Sequence, residues 1–222
     1  MINAIVLAAG ESKRMGMPKP LLRFPRSMGV PPMDSGSRAR CPCYASGDTT
    51  FLEQIISVLQ RSQVDTITVV LGAQAQRVLA STDLSGADVV RNEDYREGQL
   101  SSLIAGLKSV PPETDAILLG LVDNPFITAR STDGVVGAFG VTGKPIVVPV
   151  FQGRRGHPTL FARSMFDELL IAPADKGARH VVRSNEDKVF EVQVPDPGIL
   201  VRIDTPEDYL SHFGVAPRII ER

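Results

Sequence analysis

A short stretch near the start of the chain joins an apolar run to a loop rich in glycine and cations. Residues 5–9 are apolar, and residues 10–19 read Gly-Glu-Ser-Lys-Arg-Met-Gly-Met-Pro-Lys. Glycines let backbone amides approach an anion closely, while Lys13, Arg14 and Lys19 add positive charge around it. This combination predicts a cradle for a polyanion such as a triphosphate. The alternative is an ordinary turn between a strand and a helix, with solvated cations.

The glycine spacing separates this loop from two better-known phosphate-binding loops. Gly10 and Gly16 are one residue too far apart for G-x-x-x-x-G-K-[ST], and the loop lacks that motif's Lys-Ser or Lys-Thr ending. The chain also contains no G-x-G-x-x-G. The sequence therefore disfavours the dinucleotide-binding fold of hydride-transferring enzymes.

Two aspartates are placed to hold a metal ion beside such a loop. Asp123 follows the largely apolar residues 117–122, and a hard oxygen ligand at a strand end suits Mg²⁺ shared with phosphate oxygens. Asp204 precedes the helix-start signal Thr205-Pro206 and is the candidate second carboxylate. A turn that caps the strand at Asp123, and a plain helix start after Asp204, are the alternatives.

Two further segments offer candidate substrate-binding groups. Gly98, Ser101 and Ser102 lie where a helix is predicted to begin, and such an N-terminus can receive a nucleotide's ribose, base or phosphates. Gly156 and His157 lie in a polar turn between apolar runs and are candidates for binding a second substrate. Helix capping by the serines and a structural histidine are the alternatives.

Short β-branched apolar runs alternate with helical patterns along the chain. These runs cover residues 4–8, 66–71, 87–90, 116–122 and 146–150. They are apolar on both faces and therefore suit buried parallel strands. Apolar residues recur at helical spacing over 52–59 and 100–107, and capping signals begin at Thr50 and Thr205. The pattern predicts a single-domain α/β fold with a doubly wound, mostly parallel sheet and a Rossmann-like nucleotide-binding half.

The length favours one domain over residues 1–222, with an irregular insertion at about residues 24–49. The insertion has prolines, glycines and arginines but no periodicity, and unstructured loops of this length are usually functional or disordered. It is either a lid with extra cations over a polyanionic ligand or a solvated excursion. Its cysteines, Cys41 and Cys43, are interpreted as reduced thiols, because the chain lacks the further ligand pair that a zinc site needs.

Composition limits the classes of partner. The 24 Lys+Arg residues balance 25 Asp+Glu, which argues against binding to nucleic acid or to a membrane surface through bulk charge. No apolar run approaches the ~20 residues that span a bilayer, and the first run lacks a basic leader. We therefore expect a cytoplasmic protein with no nucleic-acid or membrane partner.

Taken in chain order, the motifs resemble those of the molybdenum cofactor cytidylyltransferases, a branch of the MobA-like nucleotidyltransferases. The first motif, residues 7–22, is specific for the superfamily, while Arg-Gly-His-Pro at 155–158 and Asp-Lys-Gly-Ala-Arg at 175–179 point to the cytidylyltransferase branch. The other matching segments are Asn92 with Arg96-Glu-Gly-Gln-Leu-Ser-Ser102, Leu121-Val-Asp-Asn-Pro125 and Ile203-Asp-Thr-Pro-Glu-Asp208.

The resemblance implies a role for each matching position. Arg14 and Lys19 would bind the triphosphate and act in catalysis, together with Asp123, which would hold Mg²⁺ with help from Asp204. The residues that would hold the base and ribose are Leu7, Ala8, Ala9 and Gly10. Those that would face the pterin are Gly156 and His157.

The implied reaction transfers CMP from CTP to the molybdopterin cofactor and releases pyrophosphate. It asks the protein to position reactants and offset charge, so no protein nucleophile is required. Ala9-Gly10 stands where the guanylyl-transferring branch carries Gly-Gly, which favours CTP over GTP. The implied recipient of the product is a molybdoenzyme or its maturation chaperone.

Three departures from the family pattern bear on this reading. The insertion is longer than expected, Asn124 stands where the family often has Gln, and Arg202 stands where relatives often have an acidic or amide residue. If the acidic or amide residue of the relatives shares in metal binding, the site in this chain has one ligand fewer. Two alternatives stay open: a nucleotidyltransferase that uses GTP or another phosphorylated acceptor such as a sugar phosphate, and a non-catalytic nucleotide- or cofactor-binding chaperone.

Overall fold

In the computed structural model, which describes residues 1–25 and 49–221, the first apolar run becomes a central strand. β1 (Ile2–Ala8) has alternate side chains in two cores, with Val6 on one face and Ile5 on the other. A strand that is apolar on both faces must be covered on both faces. Accordingly, parallel strands flank it and helices cover both sides of the sheet.

The other strands of the main sheet are β4 (Thr66–Leu71), β5 (Asp88–Arg91), β6 (Ala116–Leu121), β7 (Ile146–Phe151), β8 (Arg154–Arg155), β9 (Thr159–Ala162) and β10 (Val189–Gln193). Among the described residues, these seven and β1 form one mixed, mostly parallel sheet in the order β10-β7-β9-β6-β1-β4-β5, with β8 paired to β7. A separate antiparallel pair joins β2 (Arg23–Phe24) to β3 (Thr49–Thr50). The predicted α/β class and mostly parallel sheet are confirmed.

The predicted helices form with their capping signals. Thr50 and Thr205 each close a capping box, in which the threonine accepts from the third helical amide and the acidic residue there accepts from the threonine amide. The helices are α1 (Phe51–Leu59), α2 (Ala75–Ser81), α3 (Gln99–Ser109), α4 (Ala129–Thr142), α5 (Phe166–Leu170), α6 (Ala178–Ser184) and α7 (Pro206–Phe213). No helix of the described ranges is long and apolar enough to cross a membrane.

One strand departs from the parallel pattern. β9 runs antiparallel between β6 and β7 and pairs with both. Gln152 and Gly153, both with positive φ, reverse the chain after β7, so β8 and then β9 return antiparallel to it. Most of the predicted insertion, including Cys41 and Cys43, lies outside the described residues.

The sheet topology brings the candidate residues to one edge. β1 and β6 are parallel neighbours in register, with Leu7 opposite Leu121. Their carboxyl ends therefore meet, and the loop after β1 lies beside the turn that carries Asp123. Gly72, just after β4, allows this loop to approach closely, since a Cβ there would lie 2.8 Å from the Ala9 carbonyl oxygen.

Candidate active site

The loop after β1 folds into a tight turn in which Ser12 and Gly16, but not Gly10, adopt positive φ angles. Ser12 and Gly16 have φ angles of +54° and +71°, and the amide of Gly16 donates to the Ser12 carbonyl at 3.0 Å. Gly10 has no positive φ, and a Cβ there would meet nothing within 4 Å. Gly16 therefore makes the turn, while Gly10 leaves open space beside the backbone.

The three loop cations separate into different environments. Lys19 is buried, and its amide donates to the Ser12 hydroxyl at 3.1 Å, which fixes the backbone that carries the ammonium group. Arg14 lines the same cavity as Lys19, which is described below. Lys13 is 81% exposed and pairs with Glu11 at 2.7 Å, so it does not join the other two.

An extended segment places Asp204 beside Asp123. The amide of Ile203 donates to the Asp123 carbonyl at 2.8 Å, and the Asn124 side chain donates to the Val201 carbonyl at 2.7 Å. In an extended segment, residues two apart share a face. With Ile203 fully buried on one side, Arg202 and Asp204 therefore lie together on the other, facing Asp123.

The result is a compact group of two carboxylates and three cations. Lys19 Nζ lies 2.5 Å from Asp204 Oδ1 and 3.6 Å from Asp123 Oδ2. Arg202 Nη2 lies 2.8 Å from Asp123 Oδ2 and 3.3 Å from Asp204 Oδ2. Arg14 Nη2 adds a contact of 3.1 Å to Asp204 Oδ1. Asp123 Oδ1 is buried and has no hydrogen-bond partner within the described ranges.

These contacts perturb the ionisation of the group. Burial raises the pKa of Asp204, but the Lys19 hydrogen bond and the charges of Lys19, Arg202 and Arg14 outweigh it, so the pKa is lowered overall. Burial lowers the pKa of Arg202, and the two carboxylates more than reverse this. Both residues are therefore held in their charged forms.

A cavity of about 310 Å³ opens over this group. Its lining includes most of the predicted nucleotide-binding residues, namely Leu7, Ala8, Ala9, Gly10, Arg14, Lys19, Gly98 and Ser102, together with Asp123, Arg202 and Asp204. We call this space the donor cavity. Its lining also contains Tyr95 and Gln99, which the sequence did not single out.

The two predicted serines at the start of α3 have different surroundings. Ser102 lines the donor cavity and accepts a hydrogen bond from the Asn92 side chain at 3.0 Å. Ser101 is not brought to the cavity, because its hydroxyl donates to the carbonyls of Asp94 and Gly98, both at 2.9 Å. Ser101 therefore neither lines the donor cavity nor caps α3, which follows its N-cap Gly98 without a side-chain capping hydrogen bond.

A second cavity, of about 460 Å³, adjoins the first, and we call it the acceptor cavity. The residues that line both cavities are Leu7, Gln99, Leu121 and Arg202. Its apolar floor is formed by five leucines, namely Leu7, Leu100, Leu103, Leu119 and Leu121. One wall, formed by residues 175–183, carries Lys176, Arg179 and Arg183. The cavity therefore combines an apolar surface with concentrated positive charge.

Gly156 and His157 have distinct positions at this cavity. His157 lines it, and its Nδ1 is buried without a hydrogen-bond partner in the part of the chain that the structure describes. Burial lowers the pKa of His157, and the Asp123 carboxylate opposes this only in part. Gly156 is not brought to the cavity, because it packs against the backbone of Ile199, where an added Cβ would lie 2.4 Å from the carbonyl oxygen. It positions His157 and makes no lining contact.

The main residues that sequence reasoning left without a role are the acceptor-wall cations. The Asp-Lys-Gly-Ala-Arg segment was visible as a motif, but nothing in its spacing indicates which cavity it faces. Gly177 (φ +59°) starts α6, and the cations on either side of it then line one cavity. The signal in the sequence that could have identified these cations is a glycine followed by a cation-rich helix start.

A mostly parallel sheet whose strand ends carry a cavity, two carboxylates and a cation-bearing loop is an arrangement suited to a transferase of the nucleotidyl type. The chain belongs to the family described as the MobA-like NTP transferase domain, whose model matches residues 4–189. The resemblance seen in the sequence is therefore confirmed at the level of this family. The cytidylyltransferase branch stays a prediction.

Similar proteins cover nearly the whole chain. Rv0371c from Mycobacterium tuberculosis H37Rv is 30% identical, with a TM-score of 0.77 over 96% of this chain and 97% of that chain. A structure of Rv0371c in complex with manganese is 29% identical, with a TM-score of 0.74 over 96% and 98% of the two chains. Nicotine blue oxidoreductase from Paenarthrobacter nicotinovorans is 26% identical over 218 residues, 93% of each protein.

Proposed function

We propose that this protein is a divalent-metal-dependent nucleotidyltransferase that transfers CMP from CTP to the molybdopterin cofactor and releases pyrophosphate. The observation that carries the proposal is the junction of two cavities. Asp123, Asp204 and Lys19 lie in the donor cavity, and the acceptor cavity opens directly beside them. A nucleotide in one and a phosphorylated acceptor in the other would meet at this junction.

The residues at the junction fit a divalent metal ion. Asp123 and Asp204 present hard oxygen ligands, and the buried Asp123 Oδ1 lacks a partner among the described residues. Within the described ranges, no cluster of three or more His, Cys, Asp or Glu side chains is placed to hold a metal. The protein would thus supply two carboxylates, while phosphates and water complete the shell, as is usual for Mg²⁺. The manganese complex of Rv0371c supports a divalent ion of this kind.

In the proposed step, an oxygen of the acceptor's terminal phosphate attacks the α-phosphorus of CTP. The bond between the α-phosphorus and the oxygen that leads to the β-phosphorus breaks, and pyrophosphate leaves with that oxygen. Lys19 and Arg14 stabilise the charge that builds on the departing pyrophosphate. A bound divalent ion supplies charge neutralisation and orientation at the phosphates. No proton transfer is needed, because the attacking phosphate is already an anion.

The choice of substrates rests on particular residues. Ala9-Gly10 lines the donor cavity where the guanylyl-transferring branch carries Gly-Gly, and this supports CTP. The leucine floor and cation wall of the acceptor cavity suit a flat ring system that carries a phosphate. A molybdoenzyme or its maturation chaperone would then receive the product.

The test is a pyrophosphate-release assay with CTP, GTP, ATP and UTP in turn, with Mg²⁺ or Mn²⁺ and molybdopterin cofactor. We expect release with CTP that requires both the cofactor and the metal ion. If GTP, and not CTP, supports release, the nucleotide in the proposal must be changed to GTP. If release requires a sugar phosphate in place of molybdopterin, the acceptor in the proposal must be changed. CTP binding without any release, for every acceptor offered, would favour the chaperone alternative.

A redox enzyme is the second candidate, because one relative is named as an oxidoreductase. The apolar floor of the acceptor cavity also offers a surface for an apolar redox substrate. NADH and NADPH oxidation with nicotine blue as the electron acceptor tests it. Oxidation without pyrophosphate release in the same preparation would favour the redox enzyme over the transferase.

A further inference from the structure

Arg202 occupies an unusual position for a cation in a metal-binding site. Its Nη2 lies 2.8 Å from Asp123 Oδ2 and 3.3 Å from Asp204 Oδ2, so a single nitrogen bridges the two carboxylates. A divalent ion shared by Asp123 and Asp204 would approach the same oxygens. The guanidinium and the ion would then repel each other across a few ångströms.

The other cations contact these carboxylates differently. Lys19 and Arg14 both lie closest to Asp204 Oδ1, the oxygen that Arg202 does not contact. Lys19 Nζ also lies near Asp123 Oδ2, but at 3.6 Å, which is beyond hydrogen-bond distance, whereas Arg202 lies 2.8 Å from that oxygen. A shared ion could therefore leave the closest contact of each in place. Arg202 is the cation whose displacement metal binding requires.

The Arg202 side chain has space into which it can move. Its side chain is 45% exposed, and it lines both the donor cavity and the acceptor cavity. On the acceptor side it would meet the positive wall that carries Lys176, Arg179 and Arg183. A guanidinium moves there favourably only when an anion lies between them to offset the repulsion.

We propose that Arg202 is a built-in counter-cation for Asp123 and Asp204, that a divalent ion must displace it, and that an acceptor phosphate draws it into the acceptor cavity. Metal and acceptor then bind with positive cooperativity, because each favours the displaced side chain. The metal site assembles fully only when an acceptor is present, which limits hydrolysis of a bound nucleotide. The acceptor half of the inference rests on the proposed function.

The first test is Mn²⁺ binding to the full chain without nucleotide, measured by the EPR signal of free Mn²⁺. Arg202→Met removes the bridging cation, and we expect the Kd for Mn²⁺ to fall at least tenfold. Arg14→Met is the matched control, because it removes a cation from the same carboxylate but not from the bridging position. We expect it to lower the Kd by at most about threefold, the smaller effect of an exposed charge.

Equal effects of Arg14→Met and Arg202→Met would overturn the inference, since only the overall charge would then matter. An unchanged Kd in Arg202→Met would overturn it too. Arg202→Lys provides a second variant, because a lysine retains the charge without the planar fork. Its Kd should fall between those of the native chain and Arg202→Met.

The second test adds saturating phenyl phosphate as a probe of the acceptor side. We expect it to tighten Mn²⁺ binding at least threefold more in the native chain than in Arg202→Met. If phenyl phosphate instead coordinated Mn²⁺ directly, it would tighten Mn²⁺ binding equally in the native chain and in Arg202→Met. An equal increase in Mn²⁺ affinity in the two chains would therefore overturn the proposed coupling. These measurements use no nucleotide. If the Kd for Mn²⁺ changes as expected but no pyrophosphate is released in the assay above, the proposed function is wrong and the role of Arg202 stands. If pyrophosphate is released but the Kd does not change as expected, the role of Arg202 is wrong and the proposed function stands.

Discussion

The donor and acceptor cavities adjoin each other and share Arg202, but they handle charge in opposite ways. In the donor cavity, Lys19 and Arg14 contact carboxylate oxygens directly. In the acceptor cavity, the cation wall faces an apolar floor, and Asp175 is the acidic residue of its lining. One site contains its own counter-ions, and the other presents mostly positive charge.

This difference indicates different tasks. A site with internal ion pairs can exchange partners, because each cation that leaves a carboxylate can bind phosphate while the carboxylate binds a metal ion. A site with unbalanced charge over an apolar floor is suited to hold one anionic, partly apolar molecule. Changes in the donor cavity should therefore affect chemistry and nucleotide binding, and changes in the acceptor wall should affect the second substrate.

The largest expected effect follows from Asp123→Asn. Loss of this carboxylate should reduce metal-dependent pyrophosphate release by at least about a hundredfold, while CTP binding measured by calorimetry is retained. Asp167→Asn, at an exposed position on α5, is the matched control and should keep full activity. Undiminished release in Asp123→Asn would contradict the metal assignment.

Lys19→Met should have the next largest effect. We expect it to weaken CTP binding by ~1–3 kcal/mol, the scale of a charge-assisted hydrogen bond. Lys13→Met lies in the same loop but alters an exposed pair with Glu11, so it should leave CTP affinity within about twofold of the native value. Equal losses in the two variants would show that the loop acts only through bulk charge.

Arg179→Met tests the other side of the comparison. Loss of this arginine from the acceptor wall should raise the KM for the acceptor about tenfold and leave the Kd for CTP unchanged. A tenfold change is the size expected when one charge-assisted contact is lost. Arg130→Met, an exposed position on α4, provides the control. A weaker CTP affinity in Arg179→Met would place this arginine at the nucleotide instead.

The smallest effect concerns His157 and stability. Its pKa in the folded protein lies below the unfolded value of 6.5, so the folded state favours the neutral ring. The stabilising contribution is present above pH 6.5 and is lost as the pH falls through the folded pKa. The Tm of the native chain should therefore drop more between pH 7 and pH 5 than that of His157→Gln. Parallel Tm profiles for the two chains would contradict a buried neutral histidine.

Local signals allowed much of the fold to be predicted from the sequence. The strand runs and the capping boxes at Thr50 and Thr205 depend on neighbouring residues alone, and they form close to the expected positions. The antiparallel β9 was not predicted, because an apolar run does not specify its partner strands. Strand order depends on packing between segments that are distant in sequence.

The same contrast applies to the candidate site. Lys19 and Asp123 could be chosen from sequence because each follows directly on a strand or its loop. The bridging contact of Arg202 could not, since it depends on the register of an extended segment held by the Asp123 carbonyl and the Asn124 side chain. Ser101 and Gly156 carry plausible chemistry, but their local hydrogen bonding and packing keep them out of the cavities.

The central claim is that the two adjoining cavities bring the α-phosphate of a nucleotide to a phosphorylated acceptor. The most direct measurement incubates the native chain with molybdopterin cofactor, a divalent ion and CTP labelled at either the α- or the γ-phosphate. The account predicts that the α-label appears in the acceptor product and the γ-label in pyrophosphate. Transfer of the γ-label to the acceptor, or recovery of the α-label only as CMP, would contradict it.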